Sequence, residues 1–226
     1  MHQLPALAAR HRVLAPDLRA HGRSSRPRGR LTIDALARDL AELLAALELP
    51  PAHVVGLSLG GCVALALALD HGARVRSLTL VNTFARRAPA GPRGVLRLLI
   101  RLGLLACAPM SVVAAHVARG LFPRADQREL YLAAVASLGG NPRGTYFASM
   151  RALARFDVRS RLGQVRCPTL VVAGDRDATV PLGPKMLLSR TISGAELLVV
   201  PDSGHATPAD QAERFNAALL AFVESH

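Results

Sequence analysis

Residues 56–60, Gly56-Leu57-Ser58-Leu59-Gly60, place one serine between two glycines at the junction of two apolar segments. A serine hydroxyl is a weak nucleophile until a neighbouring base takes its proton and a third group orients that base. Two later loops carry groups of the required types. One is Gly174-Asp175-Arg176-Asp177-Ala178-Thr179-Val180-Pro181, with two carboxylates; the other is Pro201-Asp202-Ser203-Gly204-His205, with a carboxylate and an imidazole. The chemistry they suggest is attack of Ser58 on a carbonyl, with His205 as base. His21, in the polar loop Asp17 to Ser25, is the rival imidazole. His2, His11, His53, His71, His116 and His226 lie in no such motif.

These residues need elements to hold them. Ala52 to Leu57 is an apolar run of strand length, and Leu59 to Leu69 reads as a helix. A serine at the tip between them takes a strained backbone, and the sequence leads us to expect that both flanking glycines lack side chains because neighbours crowd them. The amides at the start of the helix favour negative charge developing beside the serine. Thr32 is placed to cap a helix whose apolar positions Ile33, Leu36, Leu40, Leu43, Leu44 and Leu47 share one face, ended by Pro50-Pro51. Met1 to Ala9 reads as the last turns of a helix, and Arg12 to Ala15 as a short strand. Further strands are expected over Val75 to Val81, Thr169 to Ala173 and Glu196 to Val200. Helices are expected near Lys185 to Arg190 and from Asp210 to Glu224. Strands alternating with helices imply a mainly parallel sheet covered on both faces. The loops after such strands gather at one edge, so serine, acid and histidine converge.

From Phe84 to Leu162 the alternation gives way to amphipathic helices broken at Pro89, Pro92, Pro109, Pro123 and Pro142. Three parts follow: a first core segment (1–83), a helical insertion (84–162) and a second core segment (163–226). The uncharged run Leu102 to Ala118 contains Pro109 and His116 and reads as helix–turn–helix, too short for a membrane span. Met1 to Ala9 has no apolar core of a signal peptide, and a cytoplasmic location is expected. Cys62, Cys107 and Cys167 are widely spaced in apolar surroundings and read as buried free thiols, forming neither a disulfide framework nor a metal site. The chain carries a formal net charge of +12 and uses arginine almost to the exclusion of lysine. Thirteen arginines stand against Asp126, Glu129 and Asp157 in the helical insertion. Nucleic acid is not the expected partner, because aromatic residues for base stacking are few and no recognised motif is present.

Taken together, the sequence resembles the α/β-hydrolase fold family, in its small single-domain form with a helical cap. The order serine, acid, histidine is that family's order. Asp17 to Ser25 resembles its D-x-x-G-H-G-x-S segment, with Ala20 where glycine is usual. The acid loop resembles G-x-x-D-x-x-V-P, and the histidine loop resembles the family's G-H motif. The resemblance implies a catalytic triad of Ser58, Asp177 and His205, with the Leu59 amide in the oxyanion hole and no cofactor or metal. It selects Asp177 over Asp175, gives Asp202 a turn role, and makes His21 a support of its loop. Asn82, at a strand end, fills with an amide the place some relatives use for an acid. The implied activity is that of a serine esterase, acting through an acyl-enzyme on an ester, thioester or lactone. The insertion walls an apolar acyl pocket, and its arginines point to an anionic or carrier-bound substrate. A catalytically impaired relative and a basic binding module are the alternatives. The resemblance also implies strands ahead of Met1, the third supplying a second oxyanion amide and separating the strand near Val13 from that near Val55. An N-terminally truncated form of the fold is therefore expected, poorly soluble until extended upstream.

Overall fold

The computed structural model describes residues 2–26, 29–87 and 91–226. Its centre is a four-stranded parallel sheet in the order β1 (Ala52–Leu57), β2 (Val75–Val81), β3 (Thr169–Gly174), β4 (Glu196–Val200). β2 and β3 lie in the middle of the sheet and are buried almost throughout, as strands covered on both faces are. β1 lies at one edge of the described sheet, where Val55 is 43% exposed.

Both faces carry helices. On one side α2 (Ile33–Ala46), α3 (Leu59–Asp70) and α8 (Leu182–Thr191) enclose Leu36, Leu65, Leu78, Leu80, Val171 and Leu188. On the other, Phe215, Leu219 and Phe222 of α10 (Ala212–Glu224) cover Val81, Leu170 and Val172, with Leu7 of α1 (Gln3–Ala8) beside them. α2 begins as its sequence dictates: the Thr32 hydroxyl accepts the Ala35 amide at 3.1 Å. α3 is apolar all round and accordingly buried, from Gly61 to Ala68.

Between β2 and β3 run α4 (Gly91–Cys107), α5 (Met110–Leu121), α6 (Arg128–Gly139) and α7 (Arg143–Arg155). Pro109 separates α4 from α5 at the N-cap of the latter, as its lack of an amide proton favours. The break expected at Pro89 lies outside the described residues. An antiparallel bridge between Arg86 and Asp157 joins the points where this helical segment leaves the sheet and returns.

Three expectations are corrected. Residues 12–15 form no strand, because a strand exists only through a ladder partner and none lies beside them among the described residues. The C-terminal helix α10 runs to Glu224 as expected but starts at Ala212; Asp210 instead closes a separate turn, α9 (Thr207–Asp210), which ends at Gln211, where φ −133° and ψ 47° leave the helical region. There the Asp210 carboxylate is turned back to the Gly204 amide and the Ser203 hydroxyl, fixing α9 to the histidine loop. Cys107 is exposed at the end of α4, while Cys62 is buried and Cys167 lies between. Burial pushes the Cys62 thiol up to about 12, so it stays protonated and packs as a small apolar group.

Candidate active site

The turn from β1 into α3 holds Ser58 at φ 52°, ψ −111°, a conformation that side chains rarely adopt. Hydrogen bonds on both sides fix it. The Ser58 amide donates to Val81 O at 2.9 Å, and the Thr83 hydroxyl donates to Ser58 O at 2.8 Å. The turn is tight enough that a β-carbon on Gly56 would meet Gly60 O at 2.3 Å. Gly60 itself has open space. The second crowded position is Gly61, where a β-carbon would fall 2.6 Å from the Thr83 side chain. The expectation that both flanking glycines are crowded thus holds for Gly56 and moves from Gly60 to Gly61. Leu59 opens α3, where the first amides have no acceptor within the helix.

The acid and histidine loops leave the C-terminal ends of β3 and β4, on the same sheet edge as Ser58. They approach so closely that a β-carbon on Gly174 would lie 2.3 Å from Gly204 O. Across this contact His205 Nδ1 lies 2.9 Å from Asp177 Oδ2. An ionised carboxylate only accepts, so Nδ1 carries the proton and Nε2 is left with its lone pair. Asp177 Oδ1 accepts the amides of Thr179 at 2.8 Å and Val180 at 3.0 Å. Burial works to raise the Asp177 pKa. The hydrogen bond from His205, the charges of His205 and Lys185 and the Val180 amide outweigh it, holding the carboxyl below its usual range.

The competing groups have other partners. Asp175 accepts the Ser203 amide at 3.1 Å and so ties the two loops together. Asp202 is paired with Arg176. His21 bridges Arg19 O at 3.0 Å and the Ser149 hydroxyl on α7 at 3.1 Å, joining its loop to the helical segment. That loop is built as the motif requires: Asp17 accepts the Arg23 amide at 3.0 Å, and Ala20 takes φ 64°, the conformation for which glycine is suited.

The parts played by two further residues escaped sequence reasoning. Lys185, the chain's one lysine, is fully buried on α8 with its Nζ 2.9 Å from Asp177 Oδ2, 2.7 Å from Asn82 Oδ1 and 3.4 Å from Gly174 O. All three of its protons are used. Burial lowers its pKa, and Asp177 works against that shift. Asn82, at φ 44° just past β2, accepts the Gly174 amide at 2.8 Å and donates to His205 O and to the Thr207 hydroxyl, each at 2.8 Å. Asn82 therefore links the strand beside Ser58 to both other loops. The scarcity of lysine was the available signal: one ammonium in a chain of arginines marks a place where a compact point charge fits and a planar fork does not.

The structure thus joins Asp177 to His205 directly, and connects Ser58 to them through Val81, Asn82 and Thr83. No hydrogen bond joins the Ser58 hydroxyl to His205; in sites without substrate such bonds are commonly long and tighten on binding. Among the described residues, no group of three His, Cys, Asp or Glu side chains could hold a metal. No described helix is long and apolar enough to cross a membrane.

Comparison with known proteins agrees with this architecture. The family model described as "alpha/beta hydrolase fold" matches residues 1–211. A protein of Azorhizobium caulinodans named "Putative carbamate hydrolase RutD" is 37% identical, over 97% of this chain and 84% of its own length. 3-Oxoadipate enol-lactonase 1 of Acinetobacter baylyi is 30% identical, over 99% of this chain and 82% of its own. Among solved structures, a hydrolase from Pseudomonas aeruginosa superposes with a TM-score of 0.87 at 34% identity, covering 98% of this chain and 83% of that one. The chain belongs to the α/β-hydrolase fold family of enzymes.

Proposed function

We propose that Ser58, His205 and Asp177 act as a catalytic triad that hydrolyses a carboxylic ester-like bond through an acyl-enzyme. The observation that carries this reading is the 2.9 Å contact between His205 Nδ1 and Asp177 Oδ2, on the sheet edge where the Ser58 turn lies. Asp177 holds the imidazole as the tautomer whose Nε2 accepts a proton. His205 takes the Ser58 proton as Oγ bonds to the carbonyl carbon, and the oxyanion faces the Leu59 amide at the positive end of α3. Collapse expels the alcohol, which receives the proton from His205. Water activated by the same imidazole then cleaves the acyl-enzyme and restores Ser58.

The α4–α7 segment acts as a cap over this edge and forms one wall of the acyl pocket. Esters, thioesters and lactones are the substrate class. The enol-lactonase and carbamate hydrolase names of the relatives support attack on an acyl carbon bonded to oxygen or nitrogen. Hydrolysis of p-nitrophenyl butyrate tests the proposal: Ser58→Ala is expected to lower kcat by about 10⁴-fold or more. An equal rate in that variant, with the fold intact by circular dichroism, would overturn it.

A further inference from the structure

Between the helical segment and the acid and histidine loops lies a cavity of about 770 Å³. That is within the ordinary range for a small-molecule site, about 300 to 1,000 Å³. Ala178, Thr179, Val180 and Gly204 form part of its wall, so it borders the two loops that carry Asp177 and His205. Leu98 and Val117 contribute an apolar face from α4 and α5.

Its charge is one-sided. Among the described residues, six arginines line it and Asp202 is the one carboxylate. Two of these arginines have a carboxylate of their own, Arg124 with Asp126 and Arg176 with Asp202, while Arg86 shares Asp157 with Arg159. Arg87, Arg101 and Arg119 have no carboxylate partner among the described residues. Arg87 is half-buried. Burial, and then the like charge of Arg101, lower its pKa. Cations held out of water beside one another are costly unless an anion comes between them. A guanidinium fork presents paired donors that match an oxyacid group.

We propose that this cavity binds an anionic oxyacid group, carboxylate or phosphate, carried on the substrate some way from the bond cleaved at Ser58. The inference rests on the triad reading for where the bond is cut, and on the cavity alone for what is held. A cavity of this size suits a small anion better than the surface of an acidic protein. The substrate class narrows to acyl compounds with a second, charged end.

Three p-nitrophenyl esters of equal chain length, ending in a carboxylate, a phosphonate or a neutral methyl ester, test this directly. The charged esters are expected to show a kcat/KM at least about tenfold above the neutral one, as a charge-assisted bond supplies. The two charged arms identify which oxyacid is preferred. In Arg87→Gln and in Arg101→Gln the charged-to-neutral ratio is expected to fall towards one, mainly through KM. A wild-type enzyme that cleaves all three equally, or prefers the neutral ester, overturns the proposal. Calorimetry of glutarate binding to Ser58→Ala protein decides the cavity separately from the chemistry. Binding lost in Ser58→Ala/Arg101→Gln supports the proposal even if no ester is cleaved, an outcome that would sink the triad reading alone; absence of binding by glutarate and by inorganic phosphate overturns it.

Discussion

Lys185 and His205 converge on a single oxygen: Nζ of one and Nδ1 of the other each lie 2.9 Å from Asp177 Oδ2. One carboxylate therefore satisfies a buried ammonium and orients the imidazole, and the stability of the core is tied to the geometry of the site. Breaking a buried pair leaves an uncompensated charge, at about 3 to 5 kcal/mol. Lys185→Met removes the ammonium, but leaves Asp177 its bonds to His205, Thr179 and Val180. A loss of about 3 kcal/mol is expected, which for a chain of this size lowers Tm by roughly 6 to 12 °C. Differential scanning calorimetry of the variant measures it.

The pH dependence of stability follows from Asp177. Its folded pKa is depressed, so its ionisation contributes stability that is complete above the unfolded carboxylate range, near about pH 4. That contribution is lost as the pH falls through the lower folded value. Urea midpoints measured from pH 7 downward should drop more steeply below about pH 4 in the wild type than in Asp177→Asn, which has no proton to bind. Parallel curves would contradict the assignment.

Ala20 sits at φ 64° in the loop anchored by Asp17, so its β-carbon is strained. A left-handed non-glycine residue costs about 1 to 2 kcal/mol, and glycine returns part of that as unfolded-state entropy. Ala20→Gly is expected to stabilise the protein by up to about 1 kcal/mol, seen as a higher urea midpoint at unchanged slope.

Gly174 is where the acid and histidine loops press together. A β-carbon there would lie 2.3 Å from Gly204 O and 2.6 Å from Ser203 O, which are backbone atoms unable to swing aside. Gly174→Ala should separate Asp177 from His205 by a fraction of an ångström to an ångström. Displacement on that scale costs about 10²-fold in rate. The expected result is a fall in kcat on p-nitrophenyl butyrate of that order, with lowered Tm.

Much of this organisation is legible in the sequence because local rules and the global fold agree. Val75–Val81 and Glu196–Val200 form strands over the ranges that their apolar runs suggest, and Thr32 caps the helix it precedes. The pairing of acid and histidine follows from parallel topology, which collects loops at one edge. What the sequence does not carry is contact between distant backbones. The crowding that falls on Gly61 rather than Gly60 depends on Thr83, and the break at Gln211 depends on the hold of Asp210 on the Gly204 amide. The part played by Lys185 depends on α8 laying one ammonium against two loops, which no local pattern announces. Arg12 to Ala15 failed as a strand for the same reason: apolar spacing proposes a strand, but only a neighbouring ladder makes one.

The central claim is that Ser58 is a nucleophile activated by His205. Its most direct test is covalent labelling by a fluorophosphonate, followed by peptide mass spectrometry. A single adduct on the peptide containing Ser58 is expected, absent in Ser58→Ala and formed at least about 10²-fold more slowly in His205→Ala, as loss of a general base requires. No adduct on folded protein, or labelling at an unchanged rate without the imidazole, would contradict the account.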